Sequence, residues 1–453
     1  MCTVNRLTPG GRPPYGAERS YQWSKGPAVA AGAAERDPGE SRVGARDVVQ
    51  TEDRIVVAGA GPVGLTAATA LADAGFQVLV VEAAPAPETD WRASTFHAAT
   101  MELLEELEVA ERMLDEGLAV PRYQFRDRQQ GLVAEFDCGL LADETAYPFR
   151  LQLNQQRLVA MLHDRVAALD TVEVRFATRV ADARDEGDQV VVTLDGPDGP
   201  HEERGAVLIG ADGARSTVRE RLGVSFEGFT YPQQFQIVST SADLAALLPG
   251  IAEVNYVADP DEWLFLLRTP ESWRVVWPAD EPITDPAELD AQLQRVAPNP
   301  AGYEILDQQV YRVHQRVAGA FRRGRIALVG DAAHINSPVG GVGLNSGIHD
   351  AFDLVRRLVR VRDGGGDLET ELTTFDEVRR RVAVEYVQAD TERNTRRLAE
   401  RDPAVRERTL QEMRDLAADP ERTRAWLRRV TLLESVRRFG VGRPAGTPAA
   451  ASA

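Results

Sequence analysis

One stretch leaves few folds open. Ile55-Val56-Val57-Ala58 is an apolar run that reads as a buried strand, and Gly59-Ala60-Gly61-Pro62-Val63-Gly64 follows it at once. A helix then runs through Ala68 and Leu71 to Gly75, and a second strand, Gln77 to Val81, ends in Glu82. Strand, glycine-rich turn, helix and strand with an acidic tip make the dinucleotide-binding βαβ unit of a doubly wound sheet. Each glycine has its own reason to be there: Gly59 allows the tight turn, Gly61 lets a pyrophosphate approach the backbone, and Gly64 lets helix and strand pack closely. Glu82 at the strand tip is placed to accept both hydroxyls of an unphosphorylated ribose.

Two further stretches repeat the theme of a strand ending in an acidic turn. Val207 to Gly210 leads into Asp212-Gly213, with Ser216 and Arg219 behind, where Asp212 either serves a cofactor or caps the next helix. Ile326 to Val329 leads into Gly330-Asp331, then a loop with Pro338, Gly340, Gly341, Gly343 and Gly347. Apolar residues Ile348, Ala351, Phe352, Val355, Leu358 and Val359 then recur at helical spacing. Glycines bring backbone amides close to a ligand, and a helix start offers unpaired N–H groups and a positive dipole end.

Composition narrows the class. The chain has 453 residues, enough for two domains with appendages. A net charge of −18 speaks against nucleic acid or an anionic membrane as main partner. Two cysteines, Cys2 and Cys138, imply no disulfide framework and fit a reducing cytoplasm. Lys25 is the only lysine, a coding bias rather than chemistry. The apolar stretch Ile55 to Phe76 is too broken by glycine, proline and Asp73 to span a membrane, and no secretory leader or metal-ligand set is expected.

Residues 1–50 read as a disordered extension rich in Gly, Pro, Ala and charge. Trp91 to Ser94 precede an amphipathic helix expected from about Thr100 to Leu114, and Asn154-Gln155-Gln156-Arg157 lead into another over Leu158 to Leu169. Between about 224 and 318, Tyr256, Trp263, Phe265, Trp273, Trp277 and Tyr311 sit in alternating runs that predict an antiparallel sheet, one face of which could line an aromatic cavity. Past Gly364-Gly365-Gly366, Thr374 with Glu377 reads as a capping box, and Phe375, Val378, Val382 and Ala389 share a helix face. The dense Arg/Glu pairs of this tail read as solvated surface, with packing or dimer contact its only role.

The three motifs in this order resemble the single-component flavoprotein aromatic hydroxylases of the para-hydroxybenzoate hydroxylase type, over about residues 54–362. The resemblance implies an α/β fold: a Rossmann-like FAD-binding domain with an interleaved, mostly antiparallel substrate domain and a C-terminal helical tail. The boundaries expected are 51–120, 150–222 and 319–362 for the FAD-binding domain, 121–149 and 223–318 for the substrate domain, and 363–445 for the helices. It also implies FAD as cofactor, NADH or NADPH as co-substrate, and O2 delivered through flavin C4a to a phenolic or polycyclic aromatic ring. Gly59, Gly61, Gly64, Glu82 and Arg92 would hold the dinucleotide, Gln155 and Asp331 the ribityl chain, and Asp212 the pyrophosphate side. Gly330 and Pro338 would belong to the same cofactor-binding loop, and Gly343, Leu344 and Asn345 would meet the flavin ring with their backbone. The resemblance supplies no substrate base; His97, Tyr123 and His314 are the candidates, each also readable as structural. A soluble monomer or homodimer is expected. Epoxidation, Baeyer–Villiger insertion and plain oxidase activity are the alternatives on the same fold. Halogenation is disfavoured by the lack of its Trp-x-Trp signature, and a flavin-free escort protein by Asp331 and the Gly343-Leu344-Asn345 loop.

Overall fold

The computed structural model describes residues 49–50 and 53–441. The extension expected over 1–50 therefore lies outside the described residues, apart from Val49, which is buried in the main core, and Gln50.

The first element is a six-stranded sheet in the order Arg322–Arg323, Ile326–Leu328, Val207–Gly210, Arg54–Ala58, Gln77–Val81, Val172–Arg175. All neighbours are parallel except the first pair. Its central strands are continuous Val/Ile/Leu runs because both faces are covered. The register places Ala58 beside both Val81 and Gly210, and Gly210 beside Leu328. The carboxyl ends of these four strands therefore line up. The glycine turn, Glu82, Asp212 and Asp331 emerge along one edge, where ligands of open α/β sheets bind.

Helix Pro62–Asp73 packs close to this sheet because its buried face is built of Gly, Ala, Thr and Leu, and Pro62 at its first position needs no N–H partner. The expected Thr100–Leu114 helix is two helices, Ala98–Glu105 and Ala110–Glu116. Glu108 between them has φ +57°, which no continuous helix tolerates. The helix expected from Leu158 begins earlier, as Gln155–Ala167.

A second, eight-stranded sheet draws strands from separated parts of the chain, in the order His334–Ile335, Ile305–Ala318, Phe226–Thr240, Trp273–Ala279, Leu264–Arg268, Val254–Ala258, Arg122–Asp127, Gly131–Asp137. It is antiparallel but for the Val254–Ala258 and Arg122–Asp127 pair, which is parallel. Side-chain alternation divides its aromatics between two faces. Trp273 and Trp277 join Leu289 and Leu293 of helix Pro286–Val296 in a separate small core. Tyr256, Phe265 and Trp263 face the main core, with Phe265 stacked on Tyr256 at 4.7 Å and Trp263 edge-on to Phe235 at 4.9 Å.

The described residues close with helices Leu368–Val382, Ala389–Leu398, Pro403–Ala417, Pro420–Val430 and Leu433–Phe439. Asp367, Asp402 and Asp419 cap three of them with their side chains. Thr374 is not a cap: it lies inside the first of these helices, its hydroxyl donating to Thr370 O, because Asp367 already fixes the start seven residues earlier. Ala383–Gln388 between the first two is a π-helical turn. Among the described residues no helix is long and apolar enough to cross a membrane.

Candidate active site

The glycine turn comes first. Gly59 has φ +105°, and a Cβ there would lie 2.4 Å from Ala211 O. A Cβ on Gly64 would lie 2.0 Å from Gly59 O, so helix and turn touch backbone to backbone. Gly61 has nothing within 4 Å of its Cβ position and no side chain caps the helix start behind it, so this flank is open to a ligand. Half-buried Glu82 is held beside the turn, one oxygen accepting from Ala60 N at 2.7 Å and the other from Ala84 N at 2.8 Å.

The third motif packs directly on the first. A Cβ on Gly347 would meet Val63 at 2.8 Å and Gly330 Cα at 3.0 Å. Gly330, at φ +60°, donates its N–H to Asp350 Oδ2 at 3.0 Å. The same oxygen meets His334 Nε2 at 2.8 Å, and Asp350 Oδ1 accepts from Arg379 Nε at 2.7 Å. All three side chains are buried. Burial opposes the charge on Asp350, but Arg379 and His334 outweigh it and hold its pKa below the ordinary value. Asp331, next in the chain, does the opposite. Its carboxylate is exposed in a crowded cleft and accepts no hydrogen bond from the described residues. Crowding raises its pKa, against the pull of His334, Arg92 and Arg219.

Helix Gly343–Arg362 starts without a side-chain cap, leaving its first N–H groups unclaimed. Gly343 and Leu344 are partly exposed there, whereas Asn345 is fully buried. The Asn345 side chain donates to Thr95 O at 2.8 Å and Gly341 O at 2.7 Å, and accepts from His97 N at 2.9 Å. It is a clamp on the loop. His97 also hydrogen-bonds through Nε2 to Gly340 O at 3.1 Å, and burial, helped by Arg150, pushes its pKa down to about 3. A ring that stays neutral and tied to backbone is scaffolding rather than a base at neutral pH.

Arg92 and Arg219 both pull on the charge of Asp331. Arg92 is half-exposed and ion-paired with Glu88, while its carbonyl accepts from Arg274 at 2.6 Å. Gln155 is buried and donates its N–H to Ala93 O at 2.9 Å. Asp212 is committed locally: it accepts from Ser216 Oγ at 2.5 Å and Val218 N at 3.1 Å, pinning the start of helix Thr217–Leu222. Arg219 ties the second motif to the third, donating to Ala214 O at 2.8 Å and Ala332 O at 2.9 Å. Pro338 is exposed. His314 lies on strand Ile305–Ala318, hydrogen-bonded to Thr230 Oγ1 at 2.8 Å and apart from the cavity described next.

That cavity is lined in part by Gly340 and Val342 of the same loop. Its sheet wall carries Tyr123, Phe125, Phe136 and Tyr256. Tyr123 stacks on Phe136 at 5.1 Å and accepts a hydrogen bond from Trp426 Nε1 at 2.8 Å. Burial raises its pKa far enough that the phenol stays protonated. The opposite wall corrects the reading of the C-terminal tail. Tyr386, Asp390, Asn394 and Trp426 line the cavity from those helices, which are therefore more than surface packing. The sequence signal was present but faint, two aromatics among many Arg/Glu pairs, and the π-turn carrying Tyr386 has no sequence signature.

A family model described as an FAD binding domain matches residues 52–390. Para-nitrophenol 4-monooxygenase from Pseudomonas sp. strain WBC-3 is 33% identical over 366 residues, covering 79% of this chain and 90% of the relative. The crystal structure of p-nitrophenol 4-monooxygenase from Pseudomonas putida DLL-E4 superposes with a TM-score of 0.79 at 30% identity, covering 86% of this chain and 99% of that one. Aklavinone-11 hydroxylase, solved with FAD and aklavinone, superposes with a TM-score of 0.68 at 29% identity, covering 78% of this chain and 71% of that one.

Proposed function

The chain belongs to the FAD-binding-domain family that includes these aromatic hydroxylases, and from that premise we propose that it hydroxylates a phenolic or polycyclic aromatic ring using NADH or NADPH and O2. It is an FAD-dependent monooxygenase. When bound, FAD supplies the redox chemistry, accepting hydride and passing activated oxygen to the ring.

The protein's own residues hold and screen that chemistry. Glu82 takes the adenosine ribose, the open flank of Gly61 and the uncapped helix start behind it take the pyrophosphate, and Asp331 takes the ribityl hydroxyls. Gly343, Leu344 and Asn345 present backbone N–H groups at a helix start, where roughly 0.3–1 kcal/mol of dipole stabilisation favours negative charge on a reduced ring. Arg92 and Gln155 flank this path. Asp212 acts from one step back, by fixing the helix beside it. The sheet and the C-terminal helices keep water from the aromatic cavity. The enzyme works in the cytoplasm as a monomer or homodimer.

One observation carries the reading: Gly330, which precedes the exposed Asp331, and Gly347 of the uncapped helix both pack on Val63 of the glycine turn. The test is direct. Purified protein supplied with FAD is expected to show flavin absorbance, and one of a panel of phenols to accelerate NAD(P)H consumption and yield a product carrying one extra oxygen. Protein that stays colourless with FAD present defeats the proposal, and peroxide release without oxygenated product makes it an oxidase.

A further inference from the structure

Arg150 begins the short strand Arg150–Gln152 and is 3% exposed. Its Nη1 donates to Tyr256 OH at 3.0 Å, its guanidinium lies 3.7 Å from the centre of the Tyr123 ring, and its Nε has no partner. No carboxylate among the described residues pairs with it. The acids beside it cannot compensate: burial pushes the Tyr123 phenol and the Cys138 thiol up, so both are neutral at neutral pH. A guanidinium keeps its charge wherever it is placed, so this is a buried cation served only by a hydroxyl and ring faces. Such a charge is costly unless something anionic completes it.

The rest of the cavity has the same bias. Arg397 and Arg429 line it too, against the single carboxylate of Asp390. Asp390 is already held by Arg429 at 2.9 Å and Arg393 at 3.1 Å, while Arg397 Nη1 is buried without a partner over the Trp426 ring. A chain of net charge −18 thus encloses a locally positive, ring-lined cavity.

We propose that Arg150 is the counter-ion for an anionic oxygen group, a carboxylate or an ionised phenol, carried by the aromatic molecule that this cavity takes. The proposal rests on reading the cavity as the substrate site of an aromatic hydroxylase. The planar fork of Arg150 suits a two-oxygen anion, and the Tyr123 ring and Tyr256 hydroxyl hold that fork in place. Arg150 is then a specificity-determining residue, selecting the charged member of any pair of otherwise similar rings.

Calorimetric titration of the FAD-loaded protein with two matched pairs tests this: 3-hydroxybenzoate against its methyl ester, and 4-nitrophenolate against 4-nitroanisole. At least one anion is expected to bind roughly 30-fold or more tightly than its neutral partner, as for other buried charge pairs. The pair that discriminates tells carboxylate from phenolate. Arg150→Met is expected to abolish the preference at unchanged FAD content, and Arg150→Lys to retain part of it. Equal affinities within both pairs, failure of the wild type to bind either anion, or a preference surviving in Arg150→Met would each overturn the proposal. The wild-type comparison needs no variant to fold. A protein that takes up no FAD would sink the hydroxylase reading separately, since the same titrations on the flavin-free chain still decide Arg150.

Discussion

The cofactor cleft and the aromatic cavity share the Gly340–Val342 loop, yet they are built on different principles. The cleft is made mostly of backbone: an open-flanked glycine, two uncapped helix starts and carboxylates at the ends of parallel strands. The cavity is made of side chains drawn from Tyr123, Arg150, Tyr256, Tyr386 and Trp426, far apart in the chain. A ligand gripped by backbone demands short, local patterns of glycine and strand. A ligand gripped by side chains leaves no local pattern, because any residue of suitable size and charge can be supplied from a distant segment.

Acid offers the largest expected effect and acts on the cofactor side. His97 and His349 are fully buried, and burial first, then Arg150 for one and Arg379 for the other, pushes both down to about 3 from 6.5. The folded pKa lies below the unfolded one, so their contribution is complete above pH 6.5 and is lost as pH falls toward 3. Each histidine costs about 1.4 kcal/mol per pH unit in that window. Urea midpoints between pH 7.5 and 4.5 should fall steeply, and His349→Asn should roughly halve the slope. An unchanged slope would remove these histidines from the account.

Next in size is Asp350→Ala. It leaves Arg379 buried and unpaired and takes the acceptor from Gly330 N and His334, for about 3–5 kcal/mol in chemical denaturation. A loss under 1 kcal/mol would mean the network is not what holds the third motif. Asp331→Ala should behave differently although it is a neighbour. With no protein partner to lose, the flavin-free protein keeps its melting temperature, while FAD affinity drops by about 10–150-fold, or about 1.5–3 kcal/mol. Flavin occupancy that matches the wild type would displace Asp331 from the cleft. The smallest effect belongs to the cavity: Trp426→Phe removes the hydrogen bond to Tyr123, for about 0.5–1.5 kcal/mol in stability, with FAD binding unaltered. A change in FAD binding there would show that the two regions are less separate than their construction implies.

What could be read from the chain follows the same division. Gln77–Val81 and its acidic end, the strand before Asp212 and the long helix after Gly343 were legible because apolar runs, glycines and periodicity are local. The break at Glu108 was not, since a single positive φ inside an amphipathic pattern has no marker in residue type. Thr374 looked like a cap because the pattern fits, but Asp367 competes for the same role and wins. Asp350, Arg379 and Arg150 escaped notice for one reason: a charged residue in an Arg- and Asp-rich sequence looks solvated until its burial is known. The C-terminal helices look like surface on the same grounds, and the wall they form exists only once the sheet stands opposite.

The strand His334–Ile335 hydrogen-bonds to Ile305–Ala318, pairing His334 with Val317, only three residues beyond Asp331. Three residues reach at most roughly 10 Å when fully extended. That short rein yokes Asp331 to the rim of the second sheet, so no gap wider than the rein can open between them. The helices beyond Leu368 hang on the same rim, Gln315 donating to Gln388 O at 3.0 Å and to Thr391 Oγ1 at 2.9 Å. Substitutions that fray the rim at Arg316 or Val317 should therefore reach the carboxylate and the aromatic wall together.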